Sequence, residues 1–309
     1  MMVEGKPIVA VLGAINVDLV VSGAALPGPG QTLTGGTFAQ HHGGKGGNQA
    51  VGAARAIARG AVILMAGRPR AAAWILGAVG DDQLGVAALE ALRASDVQTD
   101  HVVVSPDAPT GVALIAVGMD GENQISVAPG ANTTLSPSDI VDALETLIPH
   151  VVLVSLEVPE RTARAALQWA HDHGVTTILN PAPPQPWAHE LLEFATYVTP
   201  NEHERAALGT IPPGVVVIET RGAEGAVIHR PDGSEELVPA PKVPVVVDTT
   251  GAGDCFNGVL AAGLAWDTEL SAAVRDAVVA ASLSVGTAGA REGMPTIDTI
   301  AEARERFGS

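Results

Sequence analysis

Short apolar runs alternate with longer alanine-rich amphipathic stretches along most of this 309-residue chain. The apolar runs have the length and the Val/Ile content of strands, and the alanine-rich stretches have the length of helices. Such alternation, clearest over residues 150–290, predicts an α/β fold: a three-layer α/β/α arrangement with a mostly parallel central sheet. The predicted strands cover residues 7–12, 102–104, 112–117, 151–154, 175–179, 215–218 and 243–247, and the predicted helices cover residues 47–59, 83–94, 160–173, 202–208 and 254–265.

Two regions depart from this alternation. Residues 14–40 and 98–126 alternate polar and apolar positions and contain turn signals such as Pro27-Gly28-Pro29-Gly30 and Asp120-Gly121. Alternation with turn residues predicts antiparallel hairpins. We expect them to project as a small β-sheet lid from a single domain that spans residues 1–309.

Composition narrows the classes of function. The 35 Gly and 22 Pro accompany a hydrophobic content of 47%, so they indicate many tight loops around a folded core. A single Cys excludes a disulfide framework and a cysteine-based zinc site. The net charge of −17 argues against a nucleic-acid partner, which requires a basic surface. Any anionic substrate must therefore be bound by local groups.

The N-terminal segment MMVEGKPIVAVLGAINVDLVV does not resemble a secretion signal. Its apolar run is short, and it lacks a longer apolar run that ends in a small-residue cleavage site. No uninterrupted apolar run has the length that a membrane-spanning helix needs. We therefore expect a cytoplasmic protein with no membrane partner.

The segment VPVVVDTTGAGDCFNGVLAAGLAW, residues 243–266, carries the most chemical information. We expect a buried strand that leads to Asp248, a glycine-rich turn over 251–253, and a helix that Asp254 opens. Backbone N–H groups at a helix N-terminus bind anions and suit a phosphoryl group that gains charge during transfer. A carboxylate beside them is placed to accept a proton from an attacking hydroxyl. The predicted catalytic set is Gly251, Ala252, Gly253 and Asp254.

An ordinary turn capped by an aspartate is the alternative for this segment. It is not a Walker loop, because no Lys-Ser or Lys-Thr follows the glycines, and it lacks the G-x-G-x-x-G dinucleotide spacing. Cys255 is expected to be a packing residue, because a neighbouring carboxylate disfavours its thiolate.

DTTGAGDCFNGVL resembles the C-terminal signature of the ribokinase-like (PfkB-type) family of carbohydrate kinases. GGKGGNQA at residues 43–50 resembles the family's N-terminal motif, in the form typical of its ribose-phosphorylating members. The resemblance extends from about residue 8 to about residue 300. Further segments match in order: GAINVD at 13–18, PGANTTL at 129–135, SLEVP at 155–159, NPAP at 180–183 and TPNEHE at 199–204.

The resemblance implies ATP-dependent phosphorylation of the primary hydroxyl of ribose, and it implies a set of sugar contacts. Asn16 and Asp18 are two residues apart after a strand, so they share one side and suit a vicinal diol; turn-forming residues are the alternative. The four glycines of GGKGGNQA allow the backbone to approach a ligand closely, and a flexible linker is the alternative for this segment. Glu157 could equally be an ordinary strand-end carboxylate. The implied sugar-binding residues are Asn16, Asp18, Gly44, Lys45, Gly46, Gly47, Asn48, Glu157 and Asp254.

The resemblance also implies sites for ATP and two cations. Glu204 would organise Mg²⁺ indirectly, although a solvated first-turn carboxylate is the alternative. Arg221 occupies a position that is usually apolar in close relatives. The implied ATP-binding residues are Asn201, Glu204, Thr220, Arg221, Gly222, Ala223, Glu224, Gly225 and Gly253, and the implied ligands of an activating K⁺ are Asp248, Thr250, Ser284, Thr287, Gly289 and Gly293.

Other acceptors and other classes stay open at this point. Fructose, 2-deoxyribose or a nucleoside could replace ribose, although a nucleoside favours aromatic surfaces and only 3% of the residues are aromatic. A sugar-binding protein without catalysis would be expected to have lost Asp254 or the glycines. An oxidoreductase would need the dinucleotide fingerprint that is absent. The resemblance also implies a homodimer formed through the lid.

Residues 60–78 predict an extra hairpin or a long surface loop, because two apolar runs flank Gly67-Arg68-Pro69-Arg70. Residues 60–72 are the main departure from the family, whose members connect the helix to the turn at Gly77–Asp82 with about a dozen fewer residues. No matched site residue lies in this segment.

Overall fold

The computed structural model describes residues 7–57, 71–119 and 121–307. Of the predicted hairpin or surface loop at residues 60–78, residues 60–70 lie outside these ranges, and residues 72–76 form a strand of the main sheet instead. The strands are β1 (Ile8–Leu12), β2 (Asn16–Ser22), β3 (Thr37–Gly43), β4 (Ala72–Leu76), β5 (Ala78–Gly80), β6 (Val103–Ser105), β7 (Gly111–Val117), β8 (Asn123–Ala128), β9 (Val151–Ser155), β10 (Thr176–Asn180), β11 (Tyr197–Val198), β12 (Val216–Thr220), β13 (Ala226–His229) and β14 (Glu235–Val238). The α-helices are α1 (Lys45–Ile57), α2 (Gln83–Ala94), α3 (Pro137–Leu147), α4 (Glu160–Asp172), α5 (Glu202–Leu208), α6 (Ala252–Ala265), α7 (Leu270–Ser284) and α8 (Ile297–Phe307).

The main sheet has the strand order β14-β13-β12-β11-β10-β9-β1-β4. The six neighbouring strands β4, β1, β9, β10, β11 and β12 are parallel. At the other edge, β13 pairs antiparallel with both β12 and β14. The prediction of a mostly parallel sheet is confirmed. A uniformly parallel sheet over residues 150–290 would be wrong, because β12, β13 and β14 are joined by short connections rather than crossover helices.

Alternate residues of the central strands enter two separate cores, which makes the fold three-layered. Val9 and Val11 of β1 pack in the core that holds α1, α6, α7 and α8. Ala10 and Leu12 pack in the opposite core, which holds α3 and α4. Both faces of the sheet are therefore apolar, and the strands read as continuous hydrophobic runs for that reason.

The lid is a four-stranded sheet with the order β3-β2-β7-β8. The pairs β2–β3 and β7–β8 are antiparallel hairpins, as the alternation predicts, and a parallel β2–β7 pair joins them. The predicted strand at 102–104 belongs elsewhere: β6 pairs in parallel with β5 in a separate two-stranded sheet.

The predicted strand at residues 243–247 is wrong. This segment is extended but unpaired, and Val245, Val246 and Val247 are all more than half exposed. Pro244 has no N–H to donate to a neighbouring strand. Apolar composition indicated a buried strand, although the segment runs along the surface and leads into the glycine turn.

Helices α3, α7 and α8 were not predicted from the sequence pattern. The Ala-rich α7 packs on α6 and contributes Ala273, Val274 and Ala277 to the first core. Within the ranges that the structure describes, no helix combines the length and hydrophobicity of a bilayer-spanning segment.

Candidate active site

Several residues of the site follow the carboxyl ends of neighbouring parallel strands. Gly13 comes directly after β1, Glu157 lies two residues beyond β9, and Asn180 is the last residue of β10. Residues 201–204 follow β11, and Arg221 follows β12. The carboxyl ends of parallel strands meet at one edge of a sheet, where open α/β folds bind their ligands. Groups that are distant in the sequence therefore converge on one cleft.

Helices α1 and α6 approach each other closely because Gly258 has no side chain. A Cβ at position 258 would lie 2.4 Å from the Gln49 carbonyl oxygen. Asp254 lies one helical turn before Gly258 on the same face of α6, so it reaches the first turn of α1. The small residue in α6 thus allows the predicted base to meet Asn48 and Gln49.

Asp254 is buried, and both of its carboxylate oxygens accept hydrogen bonds from side-chain amides. Asn48 Nδ2 donates to Oδ2 at 2.9 Å, and Gln49 Nε2 donates to Oδ1 at 3.1 Å. Gln49 Nε2 also donates to Asn180 Oδ1 at 3.0 Å, which connects the end of β10 to the same network. The Asp254 carboxylate is thereby held in one orientation, which proton abstraction from a bound hydroxyl requires.

The last three residues of the motif GGKGG form the start of helix α1, whereas Gly43 ends β3 and Gly44 connects the two. The helix begins at Lys45, two residues before the predicted range, so Gly46, Gly47 and Asn48 lie in its first turn. A Cβ on Gly46 would lie 2.3 Å from the carbonyl carbon of Gly13. The absence of side chains lets the N-terminus of α1 rest on the end of β1 and point into the cleft.

Lys45 lies near three carboxylates that come from three different elements. Burial alone would lower the pKa of its ammonium, but electrostatic attraction to Asp254, Glu157 and Glu204 raises it. The Lys45 N–H also donates to Glu157 Oε2 at 2.9 Å. Burial raises the pKa of the Glu157 carboxyl in spite of this hydrogen bond. The lysine therefore lies between the candidate sugar contacts and Glu204 on the candidate nucleotide side.

Asn16 and Asp18 lie within β2 and point to the same face of the lid sheet, as their spacing predicts. Asn132 Nδ2 donates to Asn16 Oδ1 at 2.8 Å, and Asn132 Oδ1 accepts from the Ile15 N–H at 2.9 Å. Asn132, from the PGANTTL motif, thus fixes the amide of Asn16.

The Asp18 carboxylate lies against Gly43, where a Cβ would be only 2.3 Å from Oδ2. Burial raises the pKa of the Asp18 carboxyl, and the positive charges of Arg291 and His41 oppose this effect. The carboxylate therefore lies against the end of the neighbouring lid strand β3, two residues before helix α1 begins.

On the nucleotide side, Asn201 and Glu204 form a capping box at the start of α5. Asn201 Oδ1 accepts from the Glu204 N–H at 2.9 Å, and Glu204 Oε2 accepts from the Asn201 N–H at 2.8 Å. Burial raises the pKa of the Glu204 carboxyl, against the hydrogen bond from Asn201 and the charge of Lys45. The alternative of a solvated first-turn residue is wrong, because Glu204 is buried and faces the cleft.

Residues 220–225 form a tight turn between β12 and β13. The Arg221 N–H donates to the Gly225 carbonyl at 2.8 Å, and Gly225 has a φ of +103°. A Cβ on Gly225 would lie 2.1 Å from the Val238 carbonyl oxygen, so the turn requires glycine there. The Arg221 side chain pairs with Glu219 at 2.8 Å, which leaves the backbone of Gly222, Ala223 and Glu224 as the exposed surface of the turn.

The turn before α6 also depends on glycine. Gly251 has a φ of +76°, and a Cβ there would lie 2.4 Å from the Ala290 carbonyl oxygen. The Ala252 N–H donates to the Thr249 carbonyl at 3.2 Å, so it is already partnered. Gly253 is exposed, and its N–H lies in the helical turn that has no intrahelical acceptors. Within the predicted catalytic set, Gly253 is therefore better placed than Ala252 to donate its backbone N–H to an anion.

The six residues implied as K⁺ ligands lie together beside this turn. Asp248 Oδ1 accepts from the Thr250 N–H and Oδ2 accepts from the Gly289 N–H, each at 2.9 Å. Although partial burial opposes them, these hydrogen bonds lower the pKa of Asp248. The Ser284 carbonyl lies against Gly293 and accepts weakly from the Thr287 N–H. A carboxylate among backbone carbonyls is an oxygen-rich donor set that fits a hard monovalent cation.

Magnesium would be held differently. Among residues 7–57, 71–119 and 121–307, no group of three or more His, Cys, Asp or Glu side chains is arranged to hold a metal ion. The Glu204 carboxylate fits an indirect role, because Mg²⁺ retains most of its water and binds substrate phosphates.

Four residues of the network were not assigned a role from the sequence: Gln49, Asn132, Asn180 and Arg291. The first three lie inside the matched motifs, so an amide at those positions was a usable signal. Arg291 lies in the unmatched segment GAREG, where nothing in the local pattern indicates that its side chain reaches α1.

Comparison with known proteins identifies the family. Residues 6–297 match the pfkB family of carbohydrate kinases. The chain belongs to this family. It is 39% identical over 306 residues to the ribokinase of Bacillus subtilis, an alignment that covers 95% of this chain and 98% of that protein. This membership confirms the resemblance and the predicted fold class.

Two further comparisons bear on this kinase family. The deoxyribokinase of Salmonella typhimurium is 33% identical over 316 residues, covering 95% of this chain and 97% of that protein. The structure of Arabidopsis thaliana ribokinase complexed with ribose and ATP matches with a TM-score of 0.84 at 26% identity, covering 97% of this chain and 98% of that chain. This chain therefore shares the fold of that solved structure over nearly its whole length.

Proposed function

We propose that this chain is an ATP-dependent kinase that phosphorylates the 5-hydroxyl of D-ribose, giving ribose 5-phosphate and ADP. The observation that carries the proposal is Asp254, a buried carboxylate held by Asn48 and Gln49 beside a glycine turn at a helix N-terminus. Full-length similarity to ribokinases supports ribose as the acceptor.

In the proposed reaction, ribose binds between the lid and the carboxyl edge of the sheet. Asn16 and Asp18 of β2 contact its hydroxyls, and Glu157 and the start of α1 complete the pocket. Asp254 accepts the proton of the 5-hydroxyl as that oxygen forms a bond to the γ-phosphorus of ATP. The bond from this phosphorus to the β,γ-bridging oxygen breaks, and ADP leaves. The Gly253 N–H stabilises the charge on the transferring group.

The lid supports transfer to sugar instead of water. Asp18 belongs to lid strand β2, whereas Glu157 and Asp254 belong to the main body, so a sugar bound to all three would draw the lid strands onto the main body. Closure excludes water, which otherwise competes as the phosphoryl acceptor.

Two cations belong to the proposal. When bound to the phosphates, Mg²⁺ neutralises their charge, and Glu204 would orient its water ligands. Asp248, Thr250 and the carbonyl groups around Gly289 would hold K⁺ next to the glycine turn. Kinase assays in potassium, sodium and choline salts, and with excess chelator, test both assignments.

A second acceptor, 2-deoxyribose, is favoured by one specific observation, the 33% identity to a deoxyribokinase. It differs from ribose at a single hydroxyl, so Asn16 and Asp18 would decide between the two sugars. Fructose, a nucleoside and binding without catalysis are the remaining alternatives.

The decisive experiment is ADP formation measured in a coupled assay with ribose, 2-deoxyribose, fructose and adenosine. We expect the highest kcat/KM with ribose, and ribose 5-phosphate as the product. Higher kcat/KM with another sugar would reassign the acceptor, and calorimetric ribose binding without ADP release would indicate a sugar-binding protein.

We also propose that the lid forms a homodimer. Val21, Phe38 and Leu114 are each at least half exposed and lie on one face of the lid sheet. Light scattering of wild type and Phe38→Asp tests this assignment, since the variant would be a monomer. The cytoplasmic location stays a prediction of the sequence.

A further inference from the structure

Arg291 is buried between the glycine turn of α1 and the candidate base, although it comes from the loop after α7. Its side chain donates from Nε to Asn48 Oδ1 at 2.7 Å and from Nη2 to the Gly43 carbonyl at 2.7 Å. The remaining nitrogen, Nη1, is buried with no hydrogen-bond partner in the described part of the chain. Both side-chain hydrogen bonds of the guanidinium are thus made to residues of the GGKGGNQA motif.

A glycine lies directly opposite the guanidinium. A Cβ on Gly47 would lie 2.3 Å from Nη2 and 3.3 Å from Cζ, so the guanidinium packs directly on the Gly47 backbone. Burial lowers the pKa of Arg291 to about 10, while Asp18, Asp254 and Glu292 oppose this effect electrostatically. The group therefore stays charged at neutral pH.

This contact determines which way the Asn48 amide points. A guanidinium N–H can only donate, so Asn48 must present its oxygen to Arg291. Its NH₂ group is then directed at Asp254 Oδ2, where it donates at 2.9 Å. A positive charge on the oxygen side also polarises the amide and strengthens the N–H as a donor.

We propose that Arg291 is a positioning residue for phosphoryl transfer, which acts through the Asn48 amide to hold the Asp254 carboxylate towards the acceptor hydroxyl. The inference rests on the proposed function, because it assigns Asp254 as the base. The side-chain hydrogen bonds of Arg291 go to Asn48 and Gly43, so its loss lowers the rate of the chemical step more than it weakens sugar binding.

Arg55 provides a matched control. It is a half-buried arginine that holds the same loop, with Nη1 donating to the carbonyl oxygens of Arg291 and Met294. It makes no contact with Asn48. Loss of Arg55 loosens the loop backbone, whereas loss of the Arg291 side chain also releases the amide.

The experiment compares steady-state kinetics and thermal unfolding of wild type, Arg291→Met, Arg291→Lys, Arg55→Met, Asn48→Ala and the double variant Asn48→Ala/Arg291→Met. We expect Arg291→Met to lower kcat at least tenfold while the KM for ribose changes less than threefold. Arg291→Lys retains one charged donor and should recover at least a third of wild-type kcat. Arg55→Met should lower the unfolding temperature and leave kcat within twofold.

The double variant separates positioning from loop stability. Once the Asn48 amide is gone, Arg291 has nothing to orient, so the second substitution should lower kcat less than twofold further. Wild-type kcat in Arg291→Met, or effects that multiply in the double variant, would overturn the proposal. If Arg291→Met does not fold, Arg291→Lys and Arg55→Met provide the test. The proposal would be overturned if both variants fold and both have a kcat below a tenth of wild type. Failure of the proposed function is distinguishable, because wild type itself would then not turn over ribose.

Discussion

The side-chain amide of Asn48 donates to the Asp254 carboxylate at 2.9 Å, although 206 positions separate the two residues. Both lie in the first turn of a helix, and Gly258 allows those helices to approach closely. The contact joins the two strongest motifs of the chain into one site.

Asp254→Asn should abolish transfer while the protein still binds ribose. The amide cannot accept the proton of the 5-hydroxyl, so we expect kcat to fall by about 10²–10⁴-fold. Calorimetric ribose affinity should stay within a few-fold of wild type. Asp276→Asn is the control, since this buried aspartate of α7 pairs with Arg304 away from the cleft. A turnover above a tenth of wild type in Asp254→Asn would refute the base assignment.

The two glycines of the turn before α6 should respond differently to alanine. Gly251→Ala places a Cβ against the Ala290 carbonyl at a φ of +76°, so the turn must distort and the unfolding temperature should fall. A Cβ on Gly253 meets no atom within 4 Å among the described residues, and alanine is favourable in a helix.

Gly253→Ala should therefore keep the wild-type unfolding temperature but lose kcat, because the new methyl group enters the space where the phosphoryl group would lie. Thermal unfolding and kinetics of both variants check this pair. An active Gly253→Ala would remove this residue from the oxyanion site.

Glu204→Gln should raise the KM for Mg·ATP and leave the KM for ribose unchanged. The glutamine still accepts from the Asn201 N–H, so the capping box persists while the negative charge near the phosphates is lost. Glu202→Gln, an exposed first-turn neighbour, is the matched control. Equal ATP kinetics in the two variants would contradict the nucleotide-side assignment.

Asp82 predicts a pH-dependent contribution to stability. It caps α2 and also accepts from the Thr110 N–H and hydroxyl, at 2.8 and 2.7 Å, directly before lid strand β7. Although burial opposes them, these hydrogen bonds lower the pKa of Asp82 in the folded state. Its stabilisation is therefore complete above the unfolded-state value, about 4, and is lost as pH falls through the lowered folded-state pKa.

Asp82→Ala should reduce the free energy of unfolding by about 1 kcal/mol at pH 7, and the difference should shrink below about pH 4. Denaturant titrations between pH 7 and pH 3 measure it. The exposed neighbour Asp81 provides the control variant Asp81→Ala, which should match wild type throughout. A difference between Asp82→Ala and wild type that does not depend on pH would indicate loss of packing rather than loss of the charged cap.

Sequence patterns predicted most of the central strands because both faces of a parallel sheet are buried, which makes each strand a continuous apolar run. The same criterion was wrong at 243–247, where Pro244 and the absence of a partner strand leave the valines exposed. Sequence patterns did not predict the antiparallel pair β13–β14 or the helices α3, α7 and α8. Local composition does not show which partner a segment packs against.

The sequence by itself determined the layered α/β class, the lid hairpins and the chemical groups of the two glycine motifs, since these depend on periodicity and on residue types over short distances. Tertiary structure alone decided how those groups meet. Glycines at 46 and 258 let helices α1 and α6 come into near contact with neighbouring backbone, and Arg291 reaches Gly43 and Asn48 from the loop after α7. Such contacts depend on distances between segments that are remote in the chain, which no local pattern encodes.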